Sequence, residues 1–190
     1  MSADFDSLVV AAKRAAALLR EADVPFLLAG GLASWVRGGP ATEHDVDFVL
    51  RPIDAERALE VLGDAGLRTE RPPEEWLYKA FDGDVMIDLI FGPEGPEVDD
   101  AMFARAEDLP MQAVTVPVLS VDDILISKLL ALREHHLDYD SVLELARALR
   151  EQIDWRRVRE ETSSSPYARA FFTLAEGLAL LPESERVLEA

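Results

Sequence analysis

Three aspartates are the residues of this chain whose types and spacing could do chemistry. Two of them, Asp45 and Asp47, stand two residues apart in the stretch HDVDFVL, whose alternating apolar residues predict a β-strand. Side chains two residues apart on a strand point to the same face, so these carboxylates would repel each other by roughly 2 kcal/mol at ~7 Å and an effective dielectric constant of about 20. Taken alone, the pair is equally well explained by a solvated face of the strand.

The third aspartate, Asp88, stands inside the apolar stretch VMIDLIF. An ionised carboxylate buried among such neighbours is unfavourable without a partner or a metal ion. The alternative is that Asp88 alternates onto a solvated face beside Met86. A DGD segment at residues 82–84 separates this stretch from EWLYKAF and predicts a β-hairpin.

A glycine pair, Gly30-Gly31, lies where a short apolar strand (PFLLAG) leads into a short helix (GLASWV). Glycines at such a junction let a phosphate group approach the backbone amides at the helix N-terminus, where the helix dipole favours anions. Ser34, one turn into the helix, could add a hydroxyl group. An ordinary tight turn is the alternative for a glycine pair taken by itself.

Together these features predict a metal-dependent reaction at phosphorus. Carboxylate oxygens on rigid strands are ligands that Mg²⁺ prefers, supplemented by waters and substrate phosphate. Cations would also cancel the repulsion among Asp45, Asp47 and Asp88, and two ions ~3.5–4 Å apart stabilise both the attacking and the leaving oxygen of an in-line displacement. We therefore predict two Mg²⁺ ions as cofactors, a nucleoside triphosphate as substrate, and phosphoryl or nucleotidyl transfer as the reaction.

The remaining sequence predicts an α/β fold of the α+β kind, with a mixed β-sheet core, flanking helices and a C-terminal helical bundle. We expect the α/β core at residues 1–118 and a helical C-terminal region, packed on that core, at residues 119–190. Ser7 and Ser120 are the expected N-caps of two helices, and Pro117 is expected at an edge or at the end of its strand. The predicted helices cover residues 7–22, 53–64, 124–136, 139–150 and 154–162, with another from Ser165-Pro166, and the predicted strands include residues 44–50 and 112–118.

Composition limits the kinds of site and partner. The chain has 190 residues, 49% of them hydrophobic, and no cysteine, which excludes a disulfide scaffold, a zinc-thiolate site and a cysteine nucleophile. Its formal net charge of −18 excludes a uniformly basic nucleic-acid-binding face. That charge suits a cationic substrate, a basic protein partner or divalent metal, although it is also what a general solubility feature would give. No signal peptide or membrane span is expected, so we predict a cytoplasmic protein with no membrane partner.

On these residues the sequence resembles the DNA polymerase β-like nucleotidyltransferase superfamily. Members carry a Gly-Gly or Gly-Ser turn, an Asp-x-Asp strand and a third Asp on a later strand. The counterparts here are Gly30-Gly31, Asp45-Val46-Asp47 and Asp88, and the resemblance covers residues 23–92. It implies an enzyme of the nucleotidyltransferase type, in which the three aspartates bind metal and are catalytic.

Two longer segments, residues 30–48 and 120–149, resemble the AbiEii/MenT-type nucleotidyltransferases, which are the toxins of bacterial toxin–antitoxin pairs. Such toxins transfer nucleotides to tRNA 3′ ends or to other targets. The resemblance therefore implies a tRNA acceptor and a small antitoxin protein as partner. It also implies that Lys128 binds the triphosphate and takes part in catalysis, with Arg133 and Asp138 as further nucleotide-binding residues.

Two other functions stay open at this point. An aminoglycoside nucleotidyltransferase shares the Gly-Gly…His-Asp…Asp pattern, and an acidic protein suits a polycationic drug. A degenerate member could instead bind only a nucleotide or a protein partner, although the intact set of three aspartates argues against that. For Lys128, the alternative is a surface lysine whose aliphatic stem covers the apolar stripe of its helix.

Overall fold

The computed structural model describes residues 4–41, 45–92 and 98–182. Over these residues the chain forms a seven-stranded mixed β-sheet and eight α-helices, so the predicted α/β fold is confirmed. In chain order the elements are α1 (Phe5–Glu21), β1 (Leu27–Ala29), α2 (Gly30–Val36), β2 (Val46–Val49), α3 (Pro52–Asp64), β3 (Arg68–Glu70), β4 (Leu77–Asp82), β5 (Val85–Ile90), α4 (Asp100–Ala104), β6 (Glu107–Met111), β7 (Val114–Val118), α5 (Val121–Ala131), α6 (Tyr139–Leu149), α7 (Trp155–Glu161) and α8 (Pro166–Gly177).

The sheet register brings the predicted site together. The strand order is β3-β4-β5-β2-β1-β7-β6. β2 pairs in parallel with β5, which places Asp47 directly beside Asp88. On its other side β2 pairs antiparallel with β1, which places Ala29 beside Asp47. Because the glycine turn follows Ala29 at once, backbone pairing alone puts that turn and two of the three aspartates next to one another.

The two faces of the central strands differ in burial. On β2 and β5, Val46, Phe48, Ile87 and Leu89 are fully buried and belong to the main hydrophobic cluster. Helices α1 and α3 contact β5 and form part of that core. Among the residues that alternate with these apolar positions, Asp47, Asp88 and Ile90 are partly exposed, whereas Val49 is buried. The aspartates thus project from the opposite face of the sheet.

The first helix begins earlier than the sequence predicts. Asp4, not Ser7, is its N-cap, because Oδ1 of Asp4 accepts a hydrogen bond of 2.8 Å from the backbone N–H of Ser7. An acidic side chain at this place also interacts favourably with the positive end of the helix dipole. The predicted cap at Ser7 is therefore wrong, whereas Ser120 does cap α5 by accepting from the N–H of Asp123.

Pro117 lies near the end of β7, as expected, but β7 is not an edge strand. It lies between β1 and β6, and the unpredicted strand β6 is the edge. Proline lacks the N–H that an interior strand donates. It is tolerated here because the three-residue strand β1 pairs with β7 only where Leu28 faces Val118, beyond the proline.

Most other elements lie where the sequence predicts them, and the hairpin of β4 and β5 is confirmed. Helix α5 is shorter than expected, because it ends at Ala131 and not at residue 136. Leu132 has extended backbone angles, and residues 133–136 form a turn that two backbone hydrogen bonds between Arg133 and His136 close. The short elements β3, α4 and β6 were not predicted.

The helical C-terminal part follows directly on the sheet. Helix α5 contacts α6, α7 and α8, and it also contacts α2, the helix that follows the glycine turn. One hydrophobic cluster contains residues of both parts. Within the described ranges, no helix combines the length and the hydropathy that crossing a bilayer requires.

Candidate active site

Three carboxylates form a compact group, here called the aspartate cluster and defined as Asp45, Asp47 and Asp88. Each offers one carboxylate oxygen, and these oxygens all lie within 4.8 Å of one another. Asp47 and Asp88 are neighbours on β2 and β5, and Asp45 immediately precedes β2. All three side chains are partly exposed, so an ion can reach them from solvent.

Gly30 lies against the carboxylate of Asp47. Its backbone has φ +60°, and a Cβ atom at this position would lie 1.7 Å from Oδ2 of Asp47. A side chain is therefore excluded twice, by the left-handed backbone and by the close approach. An ordinary tight turn would need glycine only for its left-handed backbone. The glycine at residue 30 is thus required by the aspartate cluster itself.

The electrostatics of the cluster are most evident at Asp47. Burial, the charge of Asp45 and the charge of Asp88 raise the pKa of Asp47 from 3.8 to about 7. Lys128 and Lys79 act in the opposite direction and lower this pKa. The two lysines offset only part of the repulsion, so the cluster attracts a further cation.

Asp88 is not a lone buried carboxylate. Nζ of Lys79 on β4 donates a hydrogen bond of 2.8 Å to its Oδ1, and the side chains are only 24% and 14% exposed. Lys79 and Asp88 face each other in the antiparallel register of β4 and β5. The unfavourable burial noted in the sequence is therefore relieved in part by a cross-strand ion pair.

Lys128 approaches the cluster from α5. It lines the cavity next to Asp45 and Asp47, and its charge lowers the pKa of Asp47. Ser127, its neighbour, also lines the cavity and donates its hydroxyl to the carbonyl of Asp123. The position of Lys128 therefore depends on how firmly α5 is held.

Helix α5 is held by a buried carboxylate, that of Asp123, which is 0% exposed. It accepts two hydrogen bonds from Arg105 (3.1 and 2.9 Å), one from Arg157 (2.6 Å) and one from the hydroxyl of Ser120 (2.6 Å). Burial alone would raise its pKa, but these donors outweigh burial and hold the pKa of Asp123 below its ordinary value. The network ties α5 both to α7 and to the segment that follows α4.

A cavity of about 320 Å³ opens beside the aspartate cluster. One wall is polar and includes the glycine pair, two of the aspartates and Lys128. The other is apolar and extends along the same sheet face, where Val49 and Ile90 follow the aspartates two residues later on β2 and β5. The described residues of the apolar wall are Ala29, Val49, Trp76, Ile90, Gly92, Val98, Met102, Leu119, Ile124 and Ala131.

Three other residues predicted to bind nucleotide do not line this cavity. Ser34 is 3% exposed, and its hydroxyl has no hydrogen-bond partner among the described residues. Asp138 caps α6 by accepting from the N–H and the hydroxyl of Ser141. Arg133 lies in the turn after α5, bridged to His136. The structure thus brings Gly30, Gly31, the aspartate cluster and Lys128 together, but not these three.

Lys79 and the Asp123 network are the features that sequence reasoning missed. Lys79 had a usable signal, because a hairpin with a two-residue turn at Gly83-Asp84 must place residue 79 opposite residue 88. The network had none, because Arg105, Asp123 and Arg157 come together only in the tertiary structure.

The donor chemistry of the cluster fits a divalent metal ion such as Mg²⁺. All of its donor atoms are hard carboxylate oxygens, and the neighbouring lysines offset only part of the repulsion among them. Carboxylates on adjacent strands beside a glycine turn, within a mixed sheet, are consistent with a nucleotidyltransferase fold. A family model described as an uncharacterised nucleotidyltransferase matches residues 4–181. The chain therefore belongs to this nucleotidyltransferase family.

Solved structures agree on the fold. ANT(2″)-Ia in complex with adenylyl-2″-tobramycin superposes with a TM-score of 0.60 at 16% identity, covering 87% of this chain and 99% of that one. The solution structure of the antibiotic-resistance factor ANT(2″)-Ia gives 0.62 at 16% identity, over 93% and 98% of the two chains. A nucleotidyltransferase-like antigenic protein from Paracoccidioides brasiliensis gives 0.56 at 15%, over 93% and 90%. No curated protein sequence matches the chain significantly.

Proposed function

We propose that the protein transfers a nucleoside monophosphate from a nucleoside triphosphate to an acceptor hydroxyl. The observation that supports this reaction best is the aspartate cluster, three carboxylate oxygens within 4.8 Å beside a glycine turn. Asp45, Asp47 and Asp88 would hold Mg²⁺, two ions being our expectation. Bound Mg²⁺ would neutralise the charge that develops on the triphosphate during transfer.

The chain's own residues have separable roles in this proposal. The turn at Gly30-Gly31, which carries no side chain, allows the triphosphate to lie against the backbone. Lys128 supplies a positive charge to the phosphates from α5. The acceptor oxygen attacks the α-phosphorus, the bond from this phosphorus to the bridging oxygen breaks, and pyrophosphate leaves. Asp88 would accept the proton of the acceptor hydroxyl.

The apolar wall of the cavity supports nucleotide binding as well. A volume of about 320 Å³ lies within the range of small-molecule sites, and such sites are mostly apolar with a few placed polar groups. Trp76 gives this wall an aromatic surface on which a planar base can stack. We place the nucleoside part of the substrate along this wall.

For the acceptor we favour a small polycationic alcohol of the aminoglycoside type. A net charge of −18 attracts polycations and repels the phosphates of RNA. The similarity in fold to ANT(2″)-Ia, whose structure contains adenylyl-2″-tobramycin, supports the same choice. The tRNA 3′ end is the second candidate, because residues 30–48 and 120–149 resemble the AbiEii/MenT-type toxins, and with it comes a small antitoxin partner.

Mass spectrometry distinguishes these acceptors. The protein, Mg²⁺ and each of the four nucleoside triphosphates are incubated either with a panel of aminoglycosides or with total tRNA. We expect an aminoglycoside to gain the mass of one nucleotidyl group, which is a nucleoside monophosphate less one water, and no such gain with Asp47→Asn. Nucleotide added to tRNA would instead establish the toxin-type acceptor. If pyrophosphate is released in neither mixture, both proposed acceptors are wrong. If calorimetry shows that the protein binds no nucleoside triphosphate, the proposed reaction itself is wrong.

A further inference from the structure

We propose that Lys79 occupies part of the metal site in the ion-free protein and competes with a divalent cation for Asp88. The proposal rests on the proposed function of the aspartate cluster as a metal site. It makes Lys79 a positioning residue: it sets the affinity of the cluster for metal and holds the cluster together before metal arrives.

The geometry of the hairpin carries the proposal. Lys79 on β4 is opposite Asp88 on β5, and its Nζ lies 2.8 Å from Oδ1 of that carboxylate. The second contact of Nζ, at 3.2 Å, is the thioether sulfur of Met86, which is only a weak acceptor. The main partner of the ammonium group is thus a carboxylate of the aspartate cluster, which is the cluster that a metal ion would use.

Charge determines the direction of the effect. Three carboxylates whose oxygens lie within 4.8 Å repel one another, and the ammonium group of Lys79 contacts one of them at 2.8 Å. In the ion-free protein it therefore stabilises the cluster. A divalent cation must either displace the ammonium group from Asp88 or bind beside it, and in both cases the positive charge of Lys79 opposes the cation.

The lysines of this chain provide the test. Only three are present, Lys13, Lys79 and Lys128, so a matched control is at hand. Lys79→Met keeps the aliphatic stem and removes the charge, whereas Lys79→Arg keeps the charge. Lys13→Met removes a charge from α1, where Lys13 makes an exposed contact of 3.5 Å to Gln112. Binding of Mn²⁺ without nucleotide is measured by electron paramagnetic resonance and by calorimetry.

We expect Lys79→Met to bind Mn²⁺ at least roughly tenfold more tightly than the wild type, because the opposing charge is gone. Its melting temperature should fall in EDTA and recover on adding Mn²⁺. Lys79→Arg and Lys13→Met should bind Mn²⁺ with the wild-type affinity. A merely structural ion pair would lower the melting temperature without changing the affinity for Mn²⁺.

Two failures are distinguishable. If the wild type binds Mn²⁺ and Lys79→Met binds it equally or more weakly, the role of Lys79 is wrong while the metal site stands. If the wild type binds no Mn²⁺, the metal site of the proposed function is wrong, and the role of Lys79 is wrong with it. Should Lys79→Met fail to fold, Lys79→Gln retains a hydrogen-bond donor for Asp88 without the charge and gives the same comparison.

Discussion

Gly30 and Asp47 are in such close contact that a Cβ atom on Gly30 would lie 1.7 Å from Oδ2 of the aspartate. Gly30 follows β1 and begins α2, and Asp47 lies on β2, so the contact joins the phosphate-binding turn of our proposal to its metal site. Any change that moves one of these residues must move the other.

Gly30→Ala should therefore abolish metal binding as well as destabilise the fold. The left-handed backbone alone costs an alanine about 1–2 kcal/mol, and the new methyl group must also displace the carboxylate of Asp47. Gly83→Ala is the matched control, because Gly83 has φ +62° and nothing lies within 4 Å of its missing Cβ atom. Denaturant unfolding and Mn²⁺ titration of both variants check this. Equal loss of Mn²⁺ binding in the two variants would contradict it.

Asp47→Asn should stabilise the ion-free protein in a pH-dependent way. The folded protein binds a proton at Asp47 with a pKa of about 7, against 3.8 in the unfolded chain. The wild type therefore loses free energy of unfolding as the pH rises from about 4 to about 7, and it stays at the lower level above that. The asparagine variant lacks this loss.

The measurement is the difference in melting temperature between Asp47→Asn and the wild type in EDTA at pH 5 and pH 8. We expect the larger increase at pH 8. Excess Mg²⁺ should reverse the order at pH 8, because only the wild type gains the energy of metal binding. A variant that is less stable than the wild type in EDTA at both pH values would contradict the repulsion within the cluster.

Asp123→Asn should destabilise the protein by about 3 kcal/mol near pH 7, because Arg105 and Arg157 lose a buried anionic partner. The pKa of Asp123 is lowered on folding, so its stabilisation is present above the unfolded value of 3.8 and is lost as the pH falls through the folded value. The cost of the substitution should shrink accordingly in acid.

Urea unfolding between pH 7 and pH 3 checks this expectation. Glu160→Gln is the control, because it breaks the exposed pair of Glu160 with Arg156 on α7 and should cost less than about 0.5 kcal/mol. A pH-independent cost at Asp123 would show that its charge is not what holds α5.

Lys128→Met should weaken nucleoside triphosphate binding roughly tenfold or more, since it removes a charge-assisted contact to phosphate. The melting temperature should change little, because Lys128 is partly exposed on α5. Calorimetric titration with a non-hydrolysable triphosphate measures the effect, with Lys13→Met beside it. If Lys128 is only a surface lysine, the two variants will bind the triphosphate alike.

Local sequence patterns predict the parts of the site whose geometry depends on residues close together in the chain. The aspartate strand, the hairpin and the glycine turn each follow from alternation or turn chemistry, and sheet pairing then puts Asp47 beside Asp88. The helices predicted within the C-terminal part lie close to where their caps and apolar spacing place them.

What could not be predicted depends on distant residues. Strand β6 contains Pro110 and two acidic residues, and only its pairing with β7 makes it a strand. The position of Ser34 one turn into a helix predicts an accessible hydroxyl. Ser34 is buried instead, because Gly39 packs so closely against it that a Cβ atom at Gly39 would lie 2.3 Å from the hydroxyl oxygen. No local sequence pattern predicts such packing.

The turn at Gly83-Asp84 has a consequence for engineering and for comparing related chains. Three residue pairs separate it from Lys79 and Asp88, yet its length decides which β4 residue faces Asp88, a metal-binding residue of our proposal. If one inserted residue shifted β4 along β5 by one position, Tyr78 or Ala80 would face Asp88 in place of Lys79, with no substitution inside the site. The length of this turn therefore affects the proposed metal site, and a sequence alignment with a gap here can match two chains that place different residues opposite Asp88.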